Sequence, residues 1–324
     1  MTRSALKIAI ITDGKMGDLA QCRGVAQAIA APENISEISV RTGWYNHLPA
    51  YAASWLPTAA LPIEAAKADI VIASGRRTLP ALIAVKRKHG PLKAPFVAFL
   101  KTPPTARTAL DFIWAPRHDG LAARSAGPAP DVFSTLTSPH TITSDILGEL
   151  RGERNIPGRQ VGVILGGNNK SVTWNAASAD EFAALLAQVE GDRFTIVSSR
   201  RTPDILMSAV SDSLAGRACD IWDGTGENPY QKVLATSDAI IVTGDSHNMV
   251  SEACATGAQI LVYQPPGLQP KLKTFLQAMQ AEGHIADIAA PGDVAALSDA
   301  KTTPVDATPD IAAALLKAFD ARKG

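Results

Sequence analysis

The sequence predicts an α/β protein of two Rossmann-like domains facing a cleft, each a parallel sheet covered by helices. Three observations predict it. Short apolar runs alternate with longer helical patterns along the chain, which is the signature of βαβ units. Most of these runs are apolar on both faces, as strands become when helices cover both sides of a parallel sheet. The rhythm breaks over residues 120–158 and then restarts, and 324 residues exceed what one compact core usually holds.

Taken in order, strands are expected at 7–12, 36–41, 69–74, 96–101 and 111–115, with helices at 19–30 and 78–88. The break contains Gly127-Pro128, Pro130, Pro139, a charged run 149–154 and Ile156-Pro157-Gly158. Those breakers set a boundary near its end, giving an N-terminal acceptor-side domain over 1–155 and a nucleotide-binding domain over 156–308. The second domain restarts with strands at 160–165, 194–199, 219–222, 239–243 and 259–264, and helices at 179–189, 204–214, 247–256 and 270–282. A last amphipathic helix within 309–324 is expected to pack back on the first domain.

Composition narrows the function. Hydrophobic residues make up 46% and charged residues 19%, so a large core is expected and disorder is not. With 31 basic and 31 acidic residues there is no broad positive field of the kind that binds nucleic acid. Cys22, Cys219 and Cys254 are odd in number and far apart, without a C-x-x-C, which favours a reducing compartment. No signal-like start and no membrane-length apolar run is present, so a cytoplasmic protein is expected. Trp44, Tyr45, Trp55 and Leu56-Pro57 form an apolar patch that reads first as core and second as a surface for a lipid acceptor.

In open α/β sheets ligands bind beyond the carboxyl ends of the strands, so the loops there carry the chemistry. After the first strand comes Thr12-Asp13-Gly14-Lys15-Met16-Gly17-Asp18, where glycine and a helix start suit an anion or a tight turn. Ser74-Gly75-Arg76-Arg77-Thr78 follows the third strand; two arginines at a helix start oppose its dipole unless a ligand or partner meets them. His118-Asp119 is an acid/base couple or an exposed loop pair. The second domain opens with Leu165-Gly166-Gly167-Asn168-Asn169-Lys170-Ser171, which lacks the Walker spacing but suits a phosphate cradle. Ser198-Ser199-Arg200-Arg201-Thr202-Pro203 ends the next strand, and its hydroxyls and guanidinium groups also suit phosphate. Gly244-Asp245-Ser246 then opens a helix on which Asn248 and Glu252, four apart, share a face. A carboxylate at Glu252 can accept both ribose hydroxyls while the helix start holds phosphate.

Together these residues resemble the GT-B glycosyltransferases that act on cell-envelope acceptors. They resemble more closely the mitochondrial-fission "elongated mitochondria" family of plants and many bacteria. The matching features are Asp13-Gly14-Lys15 with Gly17 and Gln21, the 74–78 run, Pro116 with His118-Asp119, Gly166-Gly167-Asn168 with Lys170, the 199–202 run, Asn228-Pro229-Tyr230 and the 242–252 segment. The resemblance implies a donor site on Gly166, Gly167, Asn168, Ser199, Arg200, Gly244, Asp245, Ser246, Asn248 and Glu252. It implies an acceptor side on Gly14, Lys15, Gly17, Arg76 and Arg77. Some envelope enzymes carry a His where this chain has Asp18, so the general base stays open among Asp18, Asp13 and His118.

The implied function is transfer of a sugar from a nucleotide-sugar to an envelope or lipid-linked acceptor, with no separate cofactor. No Asp-x-Asp is present to hold a metal on the diphosphate, so metal-independent transfer is expected. A peripheral position at the membrane follows from such an acceptor. The family also implies an alternative, a GT-B-fold scaffold that binds protein partners without catalysis. A third function, nucleotide-sugar epimerisation, is set aside, because it would want a dinucleotide fingerprint on the first strand and a Tyr-x-x-x-Lys couple, and neither occurs.

Overall fold

The computed structural model describes residues 6–40, 43, 48, 50–54, 65–105, 107–121, 130–288 and 302–323. Trp44, Tyr45, Trp55, Leu56-Pro57 and Gly127-Pro128 lie outside the described residues. The chain divides into two compact units, 1–141 with 307–324, and 142–306.

The first unit runs β1 (Ile8–Thr12), α1 (Met16–Ile29), β2 (Ile35–Ser39), α2 (Ala50–Ala53), β3 (Ile70–Ala73), α3 (Leu79–Lys93), β4 (Phe96–Leu100), β5 (Phe112–Pro116) and β6 (Asp131–Thr135). Its six strands are parallel in the order β2-β1-β3-β4-β5-β6. Strand alternation sorts the core into two layers. Ile8, Ile10, Ile70, Ile72 and Trp114 pack on one face, and Ala9, Ile11, Val71, Ala73 and Phe99 on the other. The second layer is completed by Leu79, Leu82 and Val85 of α3.

The first layer is completed by α1 and by a helix from the far end of the chain, α10 (Thr308–Lys323). Ile311, Leu315 and Phe319, one turn apart, are all buried, and Phe319 meets Phe96 edge-on at 5.6 Å. Thr308 ties the start of α10 to the 138–140 segment: its hydroxyl accepts from the His140 N–H at 3.1 Å. At the other end Arg322 donates to Pro95 O at 3.1 Å and to the Asp111 carboxylate at 2.8 Å.

The second unit contains α4 (Ser144–Gly152), β7 (Gln160–Ile164), α5 (Ala176–Leu186), β8 (Arg193–Val197), α6 (Asp204–Ser213) and β9 (Cys219–Trp222). It continues with α7 (Tyr230–Thr236), β10 (Ala239–Thr243), α8 (His247–Cys254), β11 (Gln259–Tyr263), α9 (Pro270–Ala281) and β12 (Ala286–Asp287). The sheet order is β12-β11-β10-β7-β8-β9, all parallel. This is the doubly wound dinucleotide-fold order, with its switch point between β7 and β10.

Two elements occupy the interval that the sequence reads as irregular. β6 is half-exposed along its length, so Val132 and Phe133 alone give little strand signal. α4 contains Gly148 and ends at Gly152, which blurs its periodicity. The units therefore divide at 141/142, ahead of the expected boundary near 155. α4 is anchored in the second unit by Arg151, which donates to Ala235 O at 3.0 Å and Thr256 O at 3.1 Å. Arg154 adds a two-pronged contact to Asp238 at 2.7 and 2.8 Å.

Among the described residues no helix is long and apolar enough to cross a membrane.

Candidate functional site

The switch point of the second sheet gathers the loops that follow β7, β8 and β10. Its centre is Asp245, whose side chain has no solvent exposure. Asp245 accepts from the Thr243 hydroxyl at 2.7 Å and the Gly167 N–H at 3.1 Å, and Arg201 reaches it at 3.3 Å. Burial pushes this carboxyl up from the usual carboxylate range, and those three donors oppose the push. The Gly166 N–H donates to the Thr243 hydroxyl at 2.7 Å. A Cβ on Gly166 would lie 2.0 Å from Asp245 Oδ1, and one on Gly167 would lie 2.0 Å from the Arg201 carbonyl oxygen. The glycine pair is thus set by close approach of protein atoms, and both amides already have acceptors.

The other expected donor residues divide in the same way. The Asn168 side chain accepts from Trp174 N–H at 2.9 Å and shapes its own loop. The Ser199 hydroxyl donates to Gly166 O at 2.8 Å, with Thr202 bonded to the same oxygen. Gly244 is buried, its N–H on Tyr263 O at 2.7 Å. Arg200 is exposed. Ser246 is the N-cap of α8 and accepts from Met249 N–H at 3.5 Å, with Asn248 half-buried in the first turn.

Glu252 lies farther along α8 and is largely buried. The Tyr230 hydroxyl, at the start of α7, donates to Glu252 Oε2. Asn228 fixes that start by accepting from Tyr230 N–H at 3.0 Å. Burial pushes the Glu252 carboxyl up to about 7, against the opposing pull of the Tyr230 hydrogen bond. Burial and the neighbouring carboxylate raise the Tyr230 phenol well above its ordinary value, so it remains a donor.

A cavity of about 240 Å³ opens beside this cluster, lined by Lys170, Ser171, Asp245, Leu268, Gln269 and others. A larger one of about 480 Å³ lies at the opposite, amino edge of the sheet. There Arg151 and Arg154 are committed to carbonyls and to Asp238, which is structural work.

In the first unit, the loop after β1 folds on itself. The Gly14 N–H donates to the Thr12 hydroxyl at 3.0 Å and the Lys15 N–H to Asp13 at 3.3 Å, with Gly14 at φ 82°. Asp13 is almost wholly buried, and Lys15 Nζ stands 3.6 Å from its Oδ2. Asp18, in the first turn of α1 with Gly17, accepts from Lys101 Nζ at 2.9 Å and from the Ser74 hydroxyl at 3.4 Å. A Cβ on Gly75 would come within 2.6 Å of Asp18 Oδ2. Arg76 and Arg77 are both exposed. His118 and Asp119 follow β5, three strands from β1, on the order of 14 Å away. Asp13 and Asp18 therefore share the loop and helix start after β1, while His118 stands in the loop after β5, where Thr102 bonds the neighbouring Asp119.

The sequence pattern gives Thr243 and Tyr230 no role of their own, and it reads Arg201 and Thr202 as phosphate contacts, whereas the fold turns them to Asp245 and to Gly166 O. Arg200 and Arg201 are adjacent and chemically alike, so only the fold shows which one turns to Asp245. Tyr230 stood within the Asn228-Pro229-Tyr230 motif, which was the available signal.

Comparison with known proteins adds the relatives. The family profile described as "Mitochondrial fission ELM1" matches residues 16–319. An uncharacterised protein of Rickettsia prowazekii is 25% identical over 317 residues, 85% of this chain and 88% of that protein. The mitochondrial fission protein ELM1 of Arabidopsis thaliana is 25% identical over 241 residues, 66% of this chain and 56% of that protein. Among solved structures, Phytolacca americana UGT2, complexed with UDP-2-fluoro-glucose and pterostilbene, has TM-score 0.53 at 12% identity, covering 98% of this chain and 95% of that one. A UDP-glucosyltransferase of Polygonum tinctorium has TM-score 0.55 at 12% identity, covering 99% and 95%. The UDP-GlcNAc 2-epimerase of Methanocaldococcus jannaschii has TM-score 0.60 at 12% identity, covering 98% and 100%. These likenesses give the fold, the two-Rossmann GT-B arrangement of secondary structure.

Proposed function

We propose that this chain, which belongs to the mitochondrial fission ELM1 family, binds a nucleoside diphosphate sugar in its second unit and transfers the sugar to an acceptor. The observation that carries this is the switch point between β7 and β10, where α8 begins beside the Gly166-Gly167 loop. Ligands of this fold bind at that point. The UDP-2-fluoro-glucose complex of the Phytolacca protein supports the ligand class by fold analogy.

The start of α8, at Ser246 and Asn248, offers backbone N–H groups and the positive end of its dipole to the diphosphate. Glu252 accepts the ribose hydroxyls, and exposed Arg200 closes on the phosphates. Gly166, Gly167, Asn168, Ser199, Gly244 and Asp245 hold the loops that shape the site. No cofactor takes part, and the leaving diphosphate is stabilised by these groups without a metal ion.

In the first unit, Asp18 is the group that takes the acceptor proton; its side chain is 12% exposed against 1% for Asp13. Exposed Arg76 and Arg77 suit an anionic, lipid-linked envelope acceptor, reached from the cytoplasm at the membrane surface.

A second reading, epimerisation of a nucleotide sugar at the same site, is favoured by the TM-score of 0.60 to the Methanocaldococcus epimerase. The missing dinucleotide fingerprint excludes only the nicotinamide-dependent kind. Product analysis separates the two, since epimerisation needs no acceptor.

The test is thermal stability with a panel of nucleoside diphosphates, repeated on Glu252→Ala. A ligand at 100 times its dissociation constant adds about 2.7 kcal/mol. A rise with one base that the variant loses is expected; no rise with any nucleotide turns the interpretation to a non-catalytic scaffold.

A further inference from the structure

The Tyr230–Glu252 pair joins two helices that the sequence separates by twenty-two positions, at the residue assigned to the ribose. Tyr230 is built to serve that contact. Asn228 caps its amide, α7 starts at it, and its hydroxyl reaches across to α8. A phenol that donates to a carboxylate oxygen stabilises the ionised form and fixes the plane of the carboxyl group. The second oxygen is left for an incoming pair of hydroxyls.

We propose that Tyr230 is the positioning residue of Glu252, holding its carboxylate ionised and oriented for the ribose, so that nucleotide binding loosens as Glu252 takes up a proton. This rests on the donor site proposed above. Among the described residues Glu252 has no ion-pair partner, and Tyr230 is the titratable side chain that reaches it from another element. On its own helix the titratable neighbours in sequence are His247, whose ring packs edge-on against Phe275 at 4.3 Å, and Cys254. Burial raises the Cys254 thiol to about 12, so it stays neutral across the range concerned. The Glu252 carboxyl, at about 7, therefore changes charge within the working range of the protein.

The sign of the effect is fixed. Removing the Tyr230 hydroxyl withdraws the one interaction that favours the charged carboxyl and leaves burial unopposed. The proton is then held to higher pH.

The experiment is calorimetric titration of the full chain with UDP, or whichever nucleoside diphosphate stabilises it, between pH 6 and 9. Wild type, Tyr230→Phe and Glu252→Gln are compared. Wild-type affinity is expected to fall below a midpoint close to 7. In Tyr230→Phe the midpoint moves up by about one pH unit, weakening binding roughly fivefold at pH 7 and little at pH 9. Glu252→Gln binds weakly at every pH, without a midpoint.

A purely structural Tyr230 would lower affinity by the same factor throughout, and that result overturns the proposal. A wild-type profile that Glu252→Gln leaves unchanged overturns it as well, whether or not Tyr230→Phe folds. Absence of nucleoside diphosphate binding by wild type at every pH overturns the donor site itself, and this inference with it. Binding with an unmoved midpoint overturns this inference alone.

Discussion

Glu252 should make the free protein less stable at neutral and alkaline pH than it need be, and replacing it with Gln should show this. The perturbation keeps the geometry, because a Gln carbonyl still accepts the Tyr230 hydroxyl. The carboxyl moves from an ordinary 4.5 to about 7 on folding, with burial as the cause. The folded chain thus holds this proton more tightly than the unfolded chain. Stability is fully present below about 4.5 and is lost as pH rises through 7. At 1.36 kcal/mol per unit, the cost above pH 7 approaches about 3 kcal/mol. For a unit of this size that corresponds to a melting temperature higher by about 6–12 °C in Glu252→Gln. Many carboxylates titrate in the same range, so the quantity to follow is the difference between variant and wild type. Urea denaturation at pH 4 and pH 8 should give nearly equal midpoints at the lower pH and a more stable variant at the higher. A variant that is no more stable than wild type at pH 8 would refute the reasoning, since Glu252 would then be ionised without penalty.

Other consequences are equally concrete. Gly167→Ala forces a Cβ to within 2.0 Å of the Arg201 carbonyl and should cost about 1–3 kcal/mol; Gly14→Ala, with nothing within 4 Å, should cost about 1 kcal/mol through its positive φ alone. Chemical denaturation of both variants compares them. Leu315→Ala removes a fully buried side chain of α10 and should destabilise the first unit by about 2–5 kcal/mol, seen as faster hydrogen exchange in β1, β3 and α1 with no change in β7 or β10. Asp18→Asn should lower sugar transfer by about 10²-fold or more while leaving the dissociation constant for the nucleoside diphosphate unchanged. Transfer measured with and without a chelator should agree.

Much of the fold is legible because burial on both sheet faces leaves its mark on the residues themselves. The run Ile8-Ala9-Ile10-Ile11 is apolar at every position because α1 and α10 cover one face and α3 the other. β6 escapes notice for the opposite reason: an edge strand that is only half-buried along its length needs few apolar residues. The candidate site is legible only as a set of loops. Glycine and polar residues after β1, β3, β7, β8 and β10 mark the carboxyl edges, whatever they do there. What each side chain meets is set by strand order, which no local pattern records. Asp245 finds Gly167 and Arg201 across 78 and 44 positions; of the two amides that looked ready for phosphate, that of Gly167 is turned to this carboxylate and that of Gly166 to the Thr243 hydroxyl. Tyr230 and Glu252 meet because α7 and α8 flank β10, a relation that the spacing of the two residues does not contain.

The most direct measurement is a crystal structure of the protein grown with UDP. The expected density has the diphosphate against the backbone N–H groups at Ser246 and Asn248 and both ribose hydroxyls on Glu252. Density for the nucleotide elsewhere, or an empty carboxyl edge in crystals grown at saturating UDP, would contradict a donor site in the second unit.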